Sequence, residues 1–496
     1  MKVNEENKIK KGKNNIKEKT LTNFLWRFLE RFFAQIISFV ISIVLARILE
    51  PEAYGIIALV MVFTNIFQVF VDCGLGNALI QKKDADDIDF SSVFYFNIVW
   101  CLLLYIVLFI CAPWIAGFYE EASLVLIVRV LGLTIIVSGI KNVQQAYVSR
   151  TLQFRKFFWA TLCGTMISAV VGITMALCGY GVWALVLQYL SNLCIDTIIL
   201  WVTVHWRPRK LFNVMRLREL FSYGWKLLAS GIIDTLYENL CQLVIGKVYT
   251  AEDLAFYSRG SKFPNVIVAN INSSIDSVLL PVMSQEQDDL DKVKNITRRS
   301  IKTSIYIMAP LMIGLCSTAD AVVRVVLTEK WIHCVPFLRI FCISYMFMPI
   351  HTSNLNAIKA VGRSDLFLKL EIIKKIVGIT VILTTAQISV MVMAYSMLVI
   401  NVISQIINSW PNRYLLKYSY FDQIRDIVPS ILLSICMGVI VYTIQLLSAK
   451  PIITLVLQII AGASLYIAGS MLFKIEEFKY IKEVVRGFYS KNKGTL

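Results

Sequence analysis

Runs of about 20 apolar residues recur along nearly the whole chain, each long enough to cross a hydrocarbon core of about 30 Å. The gaps between them are short and charged. In Leu45–Leu59, LARILEPEAYGIIAL, three charged residues and Pro51 are squeezed between two apolar stretches. A soluble chain carries roughly a quarter charged residues, whereas here the share is 17% of 496 residues and the mean hydropathy is +0.66. This pattern predicts an all-α polytopic membrane protein rather than a set of soluble domains.

The apolar runs fall at residues 24–48, 54–79, 91–117, 122–148, 157–179 and 181–204, then at 220–248, 255–283, 300–327, 331–360, 370–388 and 390–415, with a final pair at 427–449 and 451–473. They predict about fourteen transmembrane helices, arranged as two six-helix bundles around a central cavity plus a C-terminal helix pair. Lysine and arginine crowd the N-terminal tail, the even-numbered gaps and the C-terminal tail. The odd-numbered gaps hold Lys330 and Lys450, with Arg47 at a helix end. Such asymmetry places both termini in the cytoplasm and makes LEPEAYG a short external hairpin, in which Pro51 stops continuation of the helix. The expected organisation is a basic tail (1–23), a first bundle (24–204), a basic amphipathic linker (205–219), a second bundle (220–415), the extra pair (427–473) and a cytoplasmic tail (474–496). The linker, HWRPRKLFNVMRLRE, is expected to lie on the inner leaflet against anionic headgroups.

The net charge of +16 is accounted for by these cytoplasmic segments, and no soluble basic domain is left to bind nucleic acid. The eleven cysteines lie in or beside apolar runs with no C-x-x-C spacing, so disulfides and metal sites are not expected and packing is the default role. His205, His333 and His351 have no metal-ligand spacing, and no cofactor is expected. GLGNA (Gly74–Ala78) begins like a dinucleotide fingerprint but follows no strand. NSS at Asn272 and NIT at Asn295 match glycosylation sequons, one inside a span and one in a cytoplasmic gap. The basic start of the chain reads as a cytoplasmic tail rather than a cleaved signal.

LARILEPEAYGIIAL aligns loosely with LVIGKVYTAEDLAFYSRG (Leu243–Gly260), so the first hairpins of the two sets of six spans form an internal repeat of a kind found in transporters. LARILEPEAYG followed by DCGLGNALIQKKD (Asp72–Asp84), FSYGWKLLASGIID (Phe221–Asp234), VIGKVYTAEDLAFYSRGSKFP (Val244–Pro264), LLPVMSQEQDDLDKVK (Leu279–Lys294) and AIKAVGRSDLFLKLEIIKKI (Ala357–Ile376) resemble the bacterial polysaccharide exporters. These are Wzx-like lipid-linked oligosaccharide flippases of the multidrug/oligosaccharidyl-lipid/polysaccharide exporter superfamily, here nearest the colanic-acid and teichuronic-acid exporter subgroup. The resemblance covers roughly residues 20–420 and weakens over the last two helices. Ala255 stands where the family usually has glycine. The family carries no catalytic signature to transfer.

Candidate site residues therefore come from the cost of placing charge in a bilayer. In the first span, WRFLERFF puts Arg27 and Arg31 on one face, with Glu30 within i+3 reach of Arg27. Either these arginines line a cavity and grip a diphosphate through planar forks, or they anchor the cytoplasmic end. In the seventh span, Asp234 and Glu238 share a face at i+4, with Lys226 two turns toward the cytoplasm. The carboxylates read either as a proton- or sodium-coupling pair or as interhelical hydrogen-bonding groups, and Lys226 as part of the cationic lining. Arg129, Asp196 and Asp276 are secondary candidates, read as structural polar contacts, and Asp320 with Arg324 read as an i,i+4 pair.

The resemblance implies a flippase, not an enzyme. It would carry an undecaprenyl-diphosphate-linked oligosaccharide from the cytoplasmic to the outer leaflet by alternating access, for capsule, exopolysaccharide or O-antigen synthesis, coupled to protons or sodium. The expected setting is the bacterial cytoplasmic (inner) membrane, with membrane lipids, and a polymerase and glycosyltransferases of the same pathway, as partners. The alternatives are a drug/cation antiporter of the same fold, recognisable by an acidic cavity, and a peptidoglycan lipid-precursor flippase.

Overall fold

The computed structural model describes residues 33–82, 84–447 and 450–493. All regular structure among them is helical, as a chain crossing lipid requires, because each span must satisfy its own backbone polar groups. The chain divides into two compact units, the first ending at Leu254 and the second beginning at Ala255.

In the first unit, α1 (Phe33–Ile48) is described from its middle onward. Glu50 is extended and Pro51 opens α2 (Pro51–Asp72) at its first turn, where a missing N–H costs nothing. Cys73 and Gly74 both take left-handed backbone and break the run before α3 (Leu75–Gln81). Asp86 and Asp89 then form a reciprocal capping box at the start of α4 (Asp87–Tyr119). That helix has 33 residues and is about 50 Å long. The unit continues with α5 (Leu124–Arg150), α6 (Phe154–Leu177), α7 (Val182–Thr203) and α8 (Val214–Val248). Helix α5 packs between α4 and α7, and α6 lies along α7. A cluster of Phe90, Phe94, Trp201, Trp206 and Tyr147 fills the end of the unit where α4 begins.

Helix α8 runs along α2 and packs on α3, and glycine allows close backbone approach at two points, α2 against Ala251 beyond the end of α8 and the start of α3 against α8. A Cβ at Gly55 would overlap the carbonyl of Ala251. Gly74, at φ +66°, brings the position of its missing Cβ to 2.6 Å from the carbonyl oxygen of Gly224, so a side chain there would be both strained and blocked. The expected amphipathic linker divides in two. Residues 204–213 carry no regular structure and are held where the hydroxyls of Ser91 and Ser92 accept the N–H groups of Arg209 and Asn213. Val214 onward belongs to α8, with Asn213 as its cap.

The second unit contains α9 (Ala251–Gln285, from Ala255), α10 (Leu290–Ser317), α11 (Ala319–Val326), a 3-10 turn at Glu329–Cys334, α12 (Val335–Met346), α13 (Met348–Ala360), α14 (Ser364–Thr385), α15 (Val390–Leu415), α16 (Tyr420–Thr443), α17 (Pro451–Leu472) and α18 (Glu476–Lys493). The apolar run at 331–360 is therefore two helices, divided at Phe347 ahead of Pro349, which cannot donate to the preceding turn. Similarly, the run at 300–327 is divided at Thr318. Helix α10 packs on α12, α13 and α16, and α16 packs on α17.

Eleven helical runs among the described residues are long and apolar enough to cross a membrane. They coincide with eleven of the fourteen expected spans. The other three expected spans fall on α1, described from Phe33, and on α8 and α14, whose interiors carry charged residues such as Asp234, Glu238, Lys374 and Lys375. The molecule is a multi-pass, all-α membrane protein.

Candidate functional site

Three helices of the first unit place polar side chains at helical spacing on facing sides. Helix α2 contributes Thr64, Asn65, Gln68 and Asp72. From α5 come Thr134, Ser138, Lys141, Asn142 and Gln145, and from α7 Tyr189 and Asn192. With Met61, Leu131 and Leu193 they line a cavity of about 360 Å³, within the ordinary range for a ligand pocket. The spacings 64–68–72, 134–138–141–145 and 189–192–196 each hold one helix face, so these otherwise apolar helices carry polar stripes that meet.

The cationic charge in this cavity is matched from within the protein. The Lys141 ammonium lies 2.5 Å from Oδ2 of Asp196, which is 7% exposed, so this lysine on the wall is already matched by a carboxylate from α7. Asp72 is exposed to the cavity and accepts from Asn142 Nδ2 at 3.4 Å and Gln68 Nε2 at 3.5 Å. Asn192 donates to the Ser168 hydroxyl at 3.2 Å. What the wall offers a ligand is therefore carboxamides and hydroxyls, with Asp72 and a neutralised lysine among them.

At the end of the unit where α4 starts, a second group of charges ties the α3–α4 turn to α8. Arg216 donates to both oxygens of Asp86 at 2.6 Å, Lys82 bridges Asp89 and Glu219 at 3.2 Å each, and Arg209 pairs with Asp87 at 2.9 Å. Partial burial works against the Asp86 carboxylate, but the bonds from Arg216 and from backbone N–H groups leave its pKa below the ordinary value. Burial likewise opposes the Lys82 ammonium, and its two carboxylate partners raise its pKa nonetheless.

The residues singled out from sequence are scattered. Arg27, Glu30 and Arg31 lie outside the described residues. Lys226, Asp234 and Glu238 are exposed along α8, where the Ser230 hydroxyl donates to Asp234 at 3.4 Å, and none of the three lines the cavity. Arg129 stacks 4.0 Å from the Phe109 ring and donates to its carbonyl. Asp196 bridges α7 to α5, and Asp276 on α9 accepts from Asn356 on α13 at 2.8 Å. Asp320 and Arg324 take other partners: Asp320 pairs with Arg339, which α12 brings alongside, and Arg324 with Glu329 at the start of the 3-10 turn. Lys141 and Asp72 sit toward the ends of their apolar runs and the amides carry no charge, so formal charge within a span does not single them out. The signal that would have found them is a polar face at 3.6-residue spacing, repeated on three helices.

A second polar group lies in the second unit. Asn354 on α13 donates to Gln423 on α16 at 2.8 Å and to Ser409 on α15 at 3.2 Å, and accepts from Asn412 at 2.6 Å. His351 and Asn408 meet at 3.0 Å beside it. Asn354, Asn412 and Gln423 are fully buried.

Known proteins share this architecture. The lipid II flippase MurJ in its inward closed conformation superimposes with a TM-score of 0.73 at 15% identity, covering 90% of this chain and 98% of that one. An inward-facing multidrug resistance MATE family transporter of the MOP superfamily gives 0.61 at 12% identity, covering 79% and 98%. At such identities the likeness shows the fold alone. Among curated relatives, the teichuronic acid biosynthesis protein TuaB of Bacillus subtilis (strain 168) is 26% identical over 416 residues, 82% of this chain and 85% of its own length. The lipopolysaccharide biosynthesis protein WzxC of Escherichia coli (strain K12) is 21% identical over 378 residues, 75% and 76% of the two chains. The family profile described as "Polysaccharide biosynthesis protein" matches residues 44–336. That match spans more than half of the sequence and bears out the resemblance carried by the hairpin motifs: the chain belongs to the polysaccharide biosynthesis protein family.

Proposed function

We propose that this protein is a flippase that carries an undecaprenyl-diphosphate-linked oligosaccharide from the cytoplasmic to the outer leaflet of the bacterial cytoplasmic membrane, by alternating access. The observation that carries the reading is the amide- and hydroxyl-lined cavity inside the first unit. A sugar crossing a bilayer must exchange its hydration for protein hydrogen bonds, and carboxamides supply both donors and acceptors to hydroxyl groups. The lipid tail needs no such cavity. Family membership and the names of the relatives, among them a lipid II flippase by fold, support the same assignment.

Because Lys141 is matched by Asp196, the diphosphate falls to cations elsewhere: Arg27, Arg31 and Lys226, as the sequence suggests. Asp234 and Glu238 are the residues proposed for coupling to a proton or sodium gradient. No covalent step is involved. One feature favours a second reading: the cavity has no cationic surplus, and with Asp72 and Asp196 against Lys141 its balance suits a cationic drug as substrate. The test is polymer export in a deletion strain, with membrane levels checked. Arg27→Gln with Arg31→Gln should abolish export. Normal export by that variant overturns the diphosphate role, and export failure with drug resistance conferred by the wild type favours the antiporter.

A further inference from the structure

Helix α18 folds back onto the end of the second unit and leaves a cleft of about 400 Å³ against α10, lined by Asn295, Arg298, Arg299, Lys302, Glu477 and Tyr480 among others. Its apolar side is anchored, with Ile475 buried among Tyr306, Leu433, Met437 and Tyr466 and with Phe478 and Ile481 against them. The cations of the cleft are not equivalent. Arg298 is held by Asp426 at 2.6 Å, and Lys302 by Glu476 and Glu477 at 2.8 and 2.9 Å. Arg299 is exposed, its guanidinium lies 3.6 Å over the Tyr480 ring, and it forms no ion pair among the described residues. Stacking fixes the plane of a guanidinium and leaves its N–H fork directed outward. Of the two acids, Glu477 is nearly buried, whereas the Glu476 carboxylate is 83% exposed and can swing to water.

Beside this cleft, Leu472 and Phe473 at the end of α17 are 76% and 70% exposed, as suits side chains in lipid. The apolar part of α10 begins only after Lys302, and Lys474, Lys479, Lys482 and Arg486 follow in the chain. A basic pocket between helices at the cytoplasmic surface is suited to an anionic headgroup. We propose that the cleft between α10 and α18 binds the phosphodiester of an anionic phospholipid of the inner leaflet, with Arg299 as its principal donor and Lys302 as the second. The cleft belongs to the second unit, shares no lining residue with the cavity of the first and does not depend on what that cavity carries; the leaflet rests on the distribution of loop charge.

The test uses the purified full chain in detergent, titrated with dioleoyl-phosphatidylglycerol, with phosphatidylcholine of the same chains, and with inorganic phosphate, read by native mass spectrometry and thermal unfolding. Phosphatidylglycerol should bind and raise the unfolding temperature, and phosphatidylcholine should not. Arg299→Gln removes an exposed side chain that forms no ion pair among the described residues, and should fold normally. It should weaken phosphatidylglycerol binding about fivefold, with Arg299→Lys between the two. Glu476→Gln should strengthen binding by a similar factor, which a merely structural role for this corner would not produce. Equal binding of the two lipids, wild-type binding by Arg299→Gln, or an equal response to inorganic phosphate overturns the proposal, the last by making a free anion the ligand.

Discussion

The two units use the same chemistry to different ends. In the first, amides and hydroxyls on α2, α5 and α7 face a cavity of about 360 Å³, and several of them, such as Asn65, stay open to whatever enters. In the second, Asn354, Ser409, Asn412 and Gln423 hydrogen-bond to one another and are fully buried. Side-chain type alone does not distinguish a binding surface from interhelical glue. What distinguishes them is whether the hydrogen-bonding capacity is consumed inside the protein.

The largest effect should come from the one element of the first unit that behaves like the second. Lys141→Met removes the counter-charge of the buried Asp196 and should cost about 3–5 kcal/mol, seen as a large fall in unfolding temperature in detergent. Adding Asp196→Leu should restore much of it. If Lys141→Met unfolds like the wild type, the pair is not buried structure, and its lysine is free to meet substrate charge. Next comes Asn354→Leu, which strands Gln423 and Asn412 in a dry interior and should cost about 1–3 kcal/mol, by the same measurement. A neutral result would mean that water reaches the network, and the contrast between the units would fail.

How legible was this in the sequence? Apolar run length located the spans that α4, α7, α15 and α17 occupy, since nothing but length and composition decides whether a segment can cross lipid. Breaks inside an apolar run were not visible in the same way. Phe347 is an ordinary helix former, and the division between α12 and α13 is set by Pro349 together with packing on α10 and α15. The cavity was half legible. Asp196 stood out as a charge in a span, but Gln68, Asn142 and Asn192 carry no charge, and the meaning of their spacing depends on which helices face each other. Sequence periodicity does not supply that tertiary fact.

A smaller effect is expected where polar groups are satisfied but wet. Asp86, bound by Arg216, has a lowered pKa, so its contribution is present above its unfolded value of about 3.9 and is lost as pH falls through the folded value. Both side chains are more than a third exposed, so screening limits the contribution to no more than about 1 kcal/mol. The stability advantage of the wild type over Asp86→Asn should hold at neutral pH and close below pH ~4. An advantage that persists at lower pH would show that packing, not charge, holds the α3–α4 turn to α8.

The smallest effect on stability should come from the cavity wall itself. Asn65 is exposed there, and Gln68 makes a single long hydrogen bond to Asp72, a residue that also accepts from Asn142. Asn65→Leu with Gln68→Leu therefore strands no buried group, and unfolding should move by no more than about 0.5 kcal/mol. Transport should respond quite differently. A site that hydrogen-bonds hydroxyl groups loses about 0.5–1.5 kcal/mol for each ordinary bond removed, so losing two amides should reduce export roughly tenfold. Asn65→Gln with Gln68→Asn keeps the amide groups and should retain more export than the leucine pair. The two readouts, unfolding and polymer export at matched membrane levels, separate the outcomes. Stable protein with impaired export supports a cavity that reads sugar. Stable protein with normal export removes these amides from substrate recognition. A collapse in stability would mean that the first unit's amides are glue after all, and that the two units differ in shape but not in purpose.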